Sequence, residues 1–181
     1  MIDRMLGAAM LKPEAYEEVE ADRDALPQAL AIVIAVSIVG AIGNVLGSDA
    51  DVVQGVILGV TQGVVSWACW ALMTWVVGST ILKTATTQAD WGQLARGTGF
   101  AQTPGLLNVF AFLPVVGGLI VLVAFLWRFA AMVVAVRQCL DYTSTWRAFF
   151  VILISFIPAV ILYGIIVGIL NAAMGVSAAG S

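Results

Sequence analysis

Trp91-Gly-Gln-Leu-Ala-Arg-Gly-Thr-Gly-Phe100-Ala-Gln-Thr-Pro-Gly-Leu-Leu-Asn-Val-Phe110-Ala-Phe-Leu113 is the stretch on which the fold turns. It follows Asp90, with Gln93 three residues on. In that spacing a carboxylate takes an early backbone N–H and the amide reaches back to the cap, which opens a helix. Its length suits a hydrocarbon core about 30 Å thick. Its polarity does not: Gln93, Arg96, Gln102 and Thr103 are joined by Pro104 and four glycines. Two readings follow, a membrane span or a re-entrant segment whose irregular backbone is shielded by protein.

The flanking sequence leaves no doubt about the solvent. Of 181 residues, 61% are apolar and 10% are charged, against about 25% charged in a soluble domain. Apolar runs cover about 28–46, 52–82, 115–140 and 146–174. With 91–113 they make five spans, so the expected fold is an all-α polytopic transmembrane bundle, residues 27–174, with a small polar tail at 175–181. Asp51-Val-Val-Gln54 repeats the capping signal at the second span.

Residues 1–26 read differently. Ile2, Met5, Leu6, Ala9 and Met10 recur at helical spacing opposite Asp3, Arg4 and Lys12, the pattern of a short interfacial helix. Pro13 then begins a second helix, expected to run to about Asp24, with Glu14, Glu17 and Glu18 at the positive end of its dipole. Residues 13–24 hold six acids and one base, so a net charge of −3 for the chain hides a local −5. That stretch could bind a basic partner or fold back onto Lys83, Arg96, Arg137 and Arg147; a solvated face is the default. Met1-Ile2-Asp3-Arg4 lacks the build of a secretory signal, so the first span is expected to be retained.

The basic residues choose between the two readings of 91–113, because Lys and Arg concentrate on the cytoplasmic side. If it spans and the N-terminus is cytoplasmic, Arg4, Lys12, Arg23, Lys83, Arg96, Arg137 and Arg147 fall on or near that side. If it does not span, Arg137 and Arg147 move outside and the pattern breaks. Five spans therefore place the C-terminus on the opposite side, and Arg128 alone lies within a span near mid-depth.

A charge at that depth costs from about 2.5 to well over 10 kcal/mol unless it finds water or partners. No acid occurs in any expected span, whereas Gln102 and Thr103 lie at a similar depth. Arg128, Ala131, Ala135 and Gln138 form one stripe; Gly92, Arg96, Gly99 and Thr103 form another that could pack on it. The candidate binding residues are Arg128, Gln102, Thr103, Arg96, Arg137 and Asp141. They suit a phosphate, another anion or a lipid headgroup, against a purely structural arginine satisfied by carbonyls and amides.

Small residues recur every fourth position at Gly43 and Gly47, at Gly55, Gly59 and Gly63, and at Gly164, Gly168 and Ala172. Such stripes let helix backbones approach in lipid. Packing within the bundle is the first reading, pairing between copies the second. Trp91, Tyr142 and Trp146 read as interfacial anchors and Trp67, Trp70 and Trp75 as core. Cys69 and Cys139 read as buried thiols. With no histidine, no intramembrane carboxylate pair, no phosphate loop and no nucleophile elbow, neither an enzyme nor a metal or other cofactor is expected. No nucleic-acid partner is expected.

Lys12-Pro-Glu-Ala-Tyr-Glu-Glu-Val19, Gly99-Phe-Ala-Gln-Thr-Pro104, Trp127-Arg128 and Ala135-Val-Arg-Gln-Cys-Leu-Asp-Tyr142, in that order, resemble the Yip family of small five-span membrane proteins that interact with Ypt and Rab GTPases. The resemblance implies a cytoplasmic N-terminus and, for eukaryotic relatives, a role in vesicle traffic. The long arm with an Asp-Leu-Tyr-Gly-Pro motif is missing, which argues against GTPase binding. The chain looks more like short prokaryotic members, placing it in a prokaryotic cytoplasmic membrane. The expected function is non-enzymatic association with membrane proteins, lipids or further copies of the chain; the alternative is an anion, small-solute or lipid translocator working at Arg128.

Overall fold

The computed structural model describes residues 1–45 and 52–173. Among them, four helices are long and apolar enough to cross a membrane. They are α3 (Leu26–Val45), α4 (Val52–Val76), α6 (Gly117–Cys139) and α7 (Thr145–Ala173). Before them come α1 (Ile2–Ala9) and α2 (Pro13–Ala21), and between α4 and α6 lies the short α5 (Trp91–Phe100). The capping signal expected at Asp51 falls outside the described residues.

The segment 91–113 is thus not one span-length helix. Asp90 and Gln93 close both halves of the capping box and start α5, at 2.9 and 2.6 Å. After ten residues the α-helix gives way to a 3₁₀ helix, Thr103–Phe110. Pro104 is the cause: it has no N–H to offer the carbonyl of Phe100. The Thr103 hydroxyl takes over that acceptor at 2.7 Å. Leu94 to Ala101 and Thr103 to Gly105 are buried almost throughout.

The direction of each helix follows from its contacts. A Cβ on Gly59 would come within 2.6 Å of Ala41 Cβ, and one on Gly63 would meet Ser37, so α4 runs antiparallel to α3. Gly99 abuts Ala29 and Gly105 abuts Val36, so the α5 segment runs parallel to α3. Gly97 abuts Cys139 while Gly105 abuts Arg128, so α6 runs against α5. Ser155 bonds Met73 O at 3.3 Å and Tyr142 bonds Gly78 O at 2.8 Å, making α7 antiparallel to α4. Because α4 and α6 point the same way, the chain between them has to return from one end of the bundle to the other, and α5 with its 3₁₀ extension is that return.

α4 closes in a π-helical turn, Val77–Ile81, with Leu82 N bonded to Val77 O at 3.0 Å. The Tyr142 hydroxyl sits between the carbonyls of Gly78 and Leu82, its one proton shared between acceptors at 2.8 and 2.9 Å. The indoles of Trp67 and Trp75 donate to Ala95 O and Ala89 O, at 3.2 and 2.8 Å, fastening α4 along α5. Cys69 and Cys139 are both free and buried.

α1 and α2 form an antiparallel hairpin that lies along α6, reaching from Gln138, near the basic end that carries Lys83, Arg137 and Arg147, to Trp127 at mid-helix. Tyr16 donates to Ala8 O at 2.9 Å, and Arg4 reaches Glu18 and Asp22 at 2.8 and 2.7 Å. Asp22 also accepts from Asp24 N at 2.9 Å, so α2 stops at Ala21 and a 3₁₀ turn, Arg23–Ala25, leads into α3. Ile2, Leu6 and Met10 stay exposed along one edge of the hairpin.

Candidate functional site

Arg128 is the middle residue of α6, eleven positions from either end and so roughly 16 Å from each. Its Nη2 donates to the side-chain oxygen of Gln102, at the bend between α5 and the 3₁₀ helix. A Cβ on Gly105 would lie 3.0 Å from Arg128 Cδ, so the missing side chain there makes room for the arginine stem. Both ion pairs among the described residues belong to Arg4, which leaves the Arg128 charge without a carboxylate.

Beside it is a cavity of about 550 Å³ between α3, α4, α6 and α7. Its walls are mostly aromatic and aliphatic, with Trp67, Trp70, Phe129, Met132, Phe149 and Ile152 prominent. Phe125, Leu153 and Phe156 line it too and are 62%, 58% and 57% exposed, so it opens sideways between α6 and α7. The polar side chains at its wall are Arg128, Gln102, Ser37 and Ser66. Ser37 spends its proton on Val33 O at 2.7 Å. Trp70 Nε1 is buried and has no hydrogen-bond partner among the described residues. A buried indole N–H normally finds an acceptor. The Arg128 cation has a single neutral side-chain partner beside a mostly apolar, laterally open recess.

The structure brings together Arg128 and Gln102 and places the other sequence candidates elsewhere. Thr103 is used up on Phe100 O. Arg96 is buried under the hairpin, where Nε donates to Val19 O at 3.0 Å and Nη2 to Glu20 O. Arg137 holds the α6–α7 loop through Tyr142 O at 3.2 Å and Thr145 at 3.4 Å. Asp141, at φ 53°, offers its carbonyl to Thr86 at 3.1 Å. The α6 stripe meets Gly97, whereas Gly99 faces α3. Trp70 and Ser66 are wall groups that sequence reasoning left out; the indole carries no polar signature distinguishing it from Trp67 or Trp75. Of the glycines, Gly59 and Gly63 are absorbed by α3, with Gly55 half-buried on the same stripe, while a Cβ on Gly164 or Gly168 would touch nothing within 4 Å.

The acidic stretch is docked rather than solvated on its bundle side. Gln93 donates to Glu20 at 3.0 Å and Gln138 to Glu17 at 2.7 Å. Burial first, and then the charges of Asp141, Glu17 and Asp90, push the Glu20 carboxyl up from 4.5 to about 7, against the pull of Arg96. A carboxyl raised in the docked state favours docking while it is protonated. That contribution is complete below about pH 4.5 and is lost as pH rises through about 7. Arg4 holds Asp22 below its ordinary range, so Asp22 titrates well outside this window. Amide exchange in residues 1–22, corrected for its intrinsic pH dependence, is expected to speed up several-fold from pH 6 to pH 8. Glu20→Gln should flatten the profile; an unchanged profile would rule the carboxyl out.

Four helices of span length around a mostly apolar, laterally open recess define a multi-pass membrane protein. The chain belongs to the Yip family: the model described as Yip1 domain matches residues 8–170, from the hairpin into α7. No curated protein and no solved structure matches it.

Proposed function

We propose that this protein is a non-enzymatic Yip-family membrane protein that holds the anionic head of a bilayer amphiphile at Arg128. The observation behind this reading is the arginine with one neutral partner beside a recess that opens to lipid. A carboxylate or phosphate oxygen would complete the guanidinium, while the chain lies among Phe129, Phe149 and Ile152. Five crossings go with this reading. Ten α-helical and eight 3₁₀ residues extend about 30 Å, and the polar backbone of that segment is shielded by its neighbours. With the basic end cytoplasmic, the C-terminus lies on the opposite side. Association with a second copy or another membrane protein falls to α7, where Gly164 and Gly168 face outward unoccupied by the chain itself.

The test is native mass spectrometry in mild detergent with a long-chain fatty acid and its methyl ester as probes. Wild type should prefer the acid by roughly 10-fold or more, the range of one charge-assisted contact. Arg128→Leu should erase the preference while leaving the protein as stable or more so, because an incompletely partnered charge is removed. Equal retention of acid and ester by wild type would sink the proposal. The same spectra report whether copies associate, and Gly164→Leu with Gly168→Leu should separate them.

A further inference from the structure

A second feature lies at the basic end, beyond the last α-helical turn of α4. Where the π turn of α4 meets the start of α7 is a groove of about 490 Å³, lined by Ile81, Leu82, Lys83, Arg147, Phe150 and Ile154. Phe150 and Ile154 are one turn apart on α7 and, with Ile81, are 49%, 42% and 65% exposed. Apolar surface therefore runs down the groove in the direction of the hydrocarbon, with two cations at its head. Arg147 is fixed there: Nη1 donates to Leu82 O at 3.3 Å, and its guanidinium carbon lies 5.8 Å from the Tyr142 ring centre. Its remaining N–H groups and the exposed Lys83 ammonium are in no ion pair among the described residues.

We propose that Lys83 and Arg147 bind the headgroup of one anionic phospholipid whose acyl chains occupy the groove below them. The charge order fits one molecule from the adjoining leaflet: two positive donors at the headgroup level, then Leu82, Ile81, Phe150 and Ile154 at the level of the chains. A free phosphate could meet the cations but would leave that apolar surface uncovered. Each base near an anionic surface contributes roughly 5-fold in binding, so the pair accounts for a preference of roughly 25-fold over a zwitterionic lipid with the same chains. This site is separate from Arg128 in position and in the charge it uses, and neither proposal depends on the other.

The experiment titrates purified full-length protein in neutral detergent with phosphatidylglycerol or phosphatidylcholine of identical chains and counts retained lipids by native mass spectrometry. Wild type should favour phosphatidylglycerol by at least 10-fold. In an Arg128→Leu background, which removes the other cation able to hold a phosphate, Lys83→Glu should bring the two lipids to near parity without changing phosphatidylcholine retention, while Arg128→Leu alone should keep the preference. Glycerol 3-phosphate, the headgroup chemistry without chains, should not displace the lipid at millimolar concentration. A wild type that does not discriminate, an Arg128→Leu/Lys83→Glu variant that still does, or displacement by glycerol 3-phosphate would each overturn the assignment.

Discussion

Arg96→Leu is expected to release the N-terminal hairpin while leaving the helical bundle assembled. The guanidinium reaches the last carbonyls of α2, those of Val19 and Glu20, which no further turn of helix can satisfy. A cation there also complements the negative end of the α2 dipole. Without it two acceptors remain in a buried setting, each costing about 1–3 kcal/mol. The carboxyl of Glu20 loses the one cation acting on it as well. What is left to hold the hairpin is Gln93 to Glu20, Gln138 to Glu17, and Trp127 to Ala9 O at 2.6 Å. Amide exchange in residues 1–22 should therefore rise about 100-fold, the equivalent of roughly 3 kcal/mol, and trypsin should gain access to Lys12. Protection in α4 and α7 should hold. Arg96→Lys keeps the charge but cannot span two carbonyls with a planar fork, so it should fall in between. Unchanged exchange in the leucine variant would mean that the apolar packing of Tyr16 and Val19 and the remaining hydrogen bonds hold the hairpin without Arg96.

What could be read from the sequence depended on whether a signal was local. Asp90 and Gln93 act within one turn, and the capping box they imply forms. The long apolar runs likewise became helices α3, α4, α6 and α7, because length and hydropathy alone decide them. The continuity of 91–113 was not legible in the same way. Pro104 and the glycines permit a break, but whether a polar segment with a 3₁₀ end is tolerated depends on what surrounds it, and that comes from Trp67, Ala29 and Cys139 on three other helices. The acidic stretch misled for a related reason. Its docking uses its own main-chain carbonyls at Val19 and Glu20, which accept from Arg96, and the neutral amides of Gln93 and Gln138. Of these only Arg96 shows in charge patterning, and there it gives no sign that it would meet carbonyls rather than carboxylates. At Arg128 the sequence supplied the charge and Gln102, which share a depth. It could not supply the recess, which is a vacancy between four helices, nor the orientation that leaves Trp70 idle while its neighbours Trp67 and Trp75 are bonded.

A cysteine at position 86 and one at position 115 should be labelled from opposite sides of the membrane. Thr86 is exposed in the turns after α4, and Val115 is fully exposed just before α6. Between them lie α5 and the 3₁₀ helix, and the parallel course of α4 and α6 demands that this stretch traverse the bundle. A segment with Arg96, Gln93 and Gln102 would be a poor candidate for insertion by hydropathy, since one arginine at the centre of an isolated helix costs about 2.5–3.5 kcal/mol on insertion scales. Here Arg96 lies toward the end of the segment, its donors are taken by α2, and the bend at Pro104 has its freed carbonyl bonded by Thr103. The segment can therefore cross as an inner element sheathed by α2, α3, α4 and α6, with little of its backbone facing lipid. In sealed vesicles, an impermeant maleimide should modify Thr86→Cys only from the side carrying Lys83 and Arg147. It should modify Val115→Cys only from the other, each by an order of magnitude over the opposite face. Cys69 and Cys139 are buried and should stay unlabelled, which the unsubstituted protein checks. Labelling of both positions from one side would make 91–113 re-entrant and would carry Arg137 and Arg147 away from Lys83, contradicting the contact of Arg147 with Leu82 and, with it, the shared basic end on which the orientation rests.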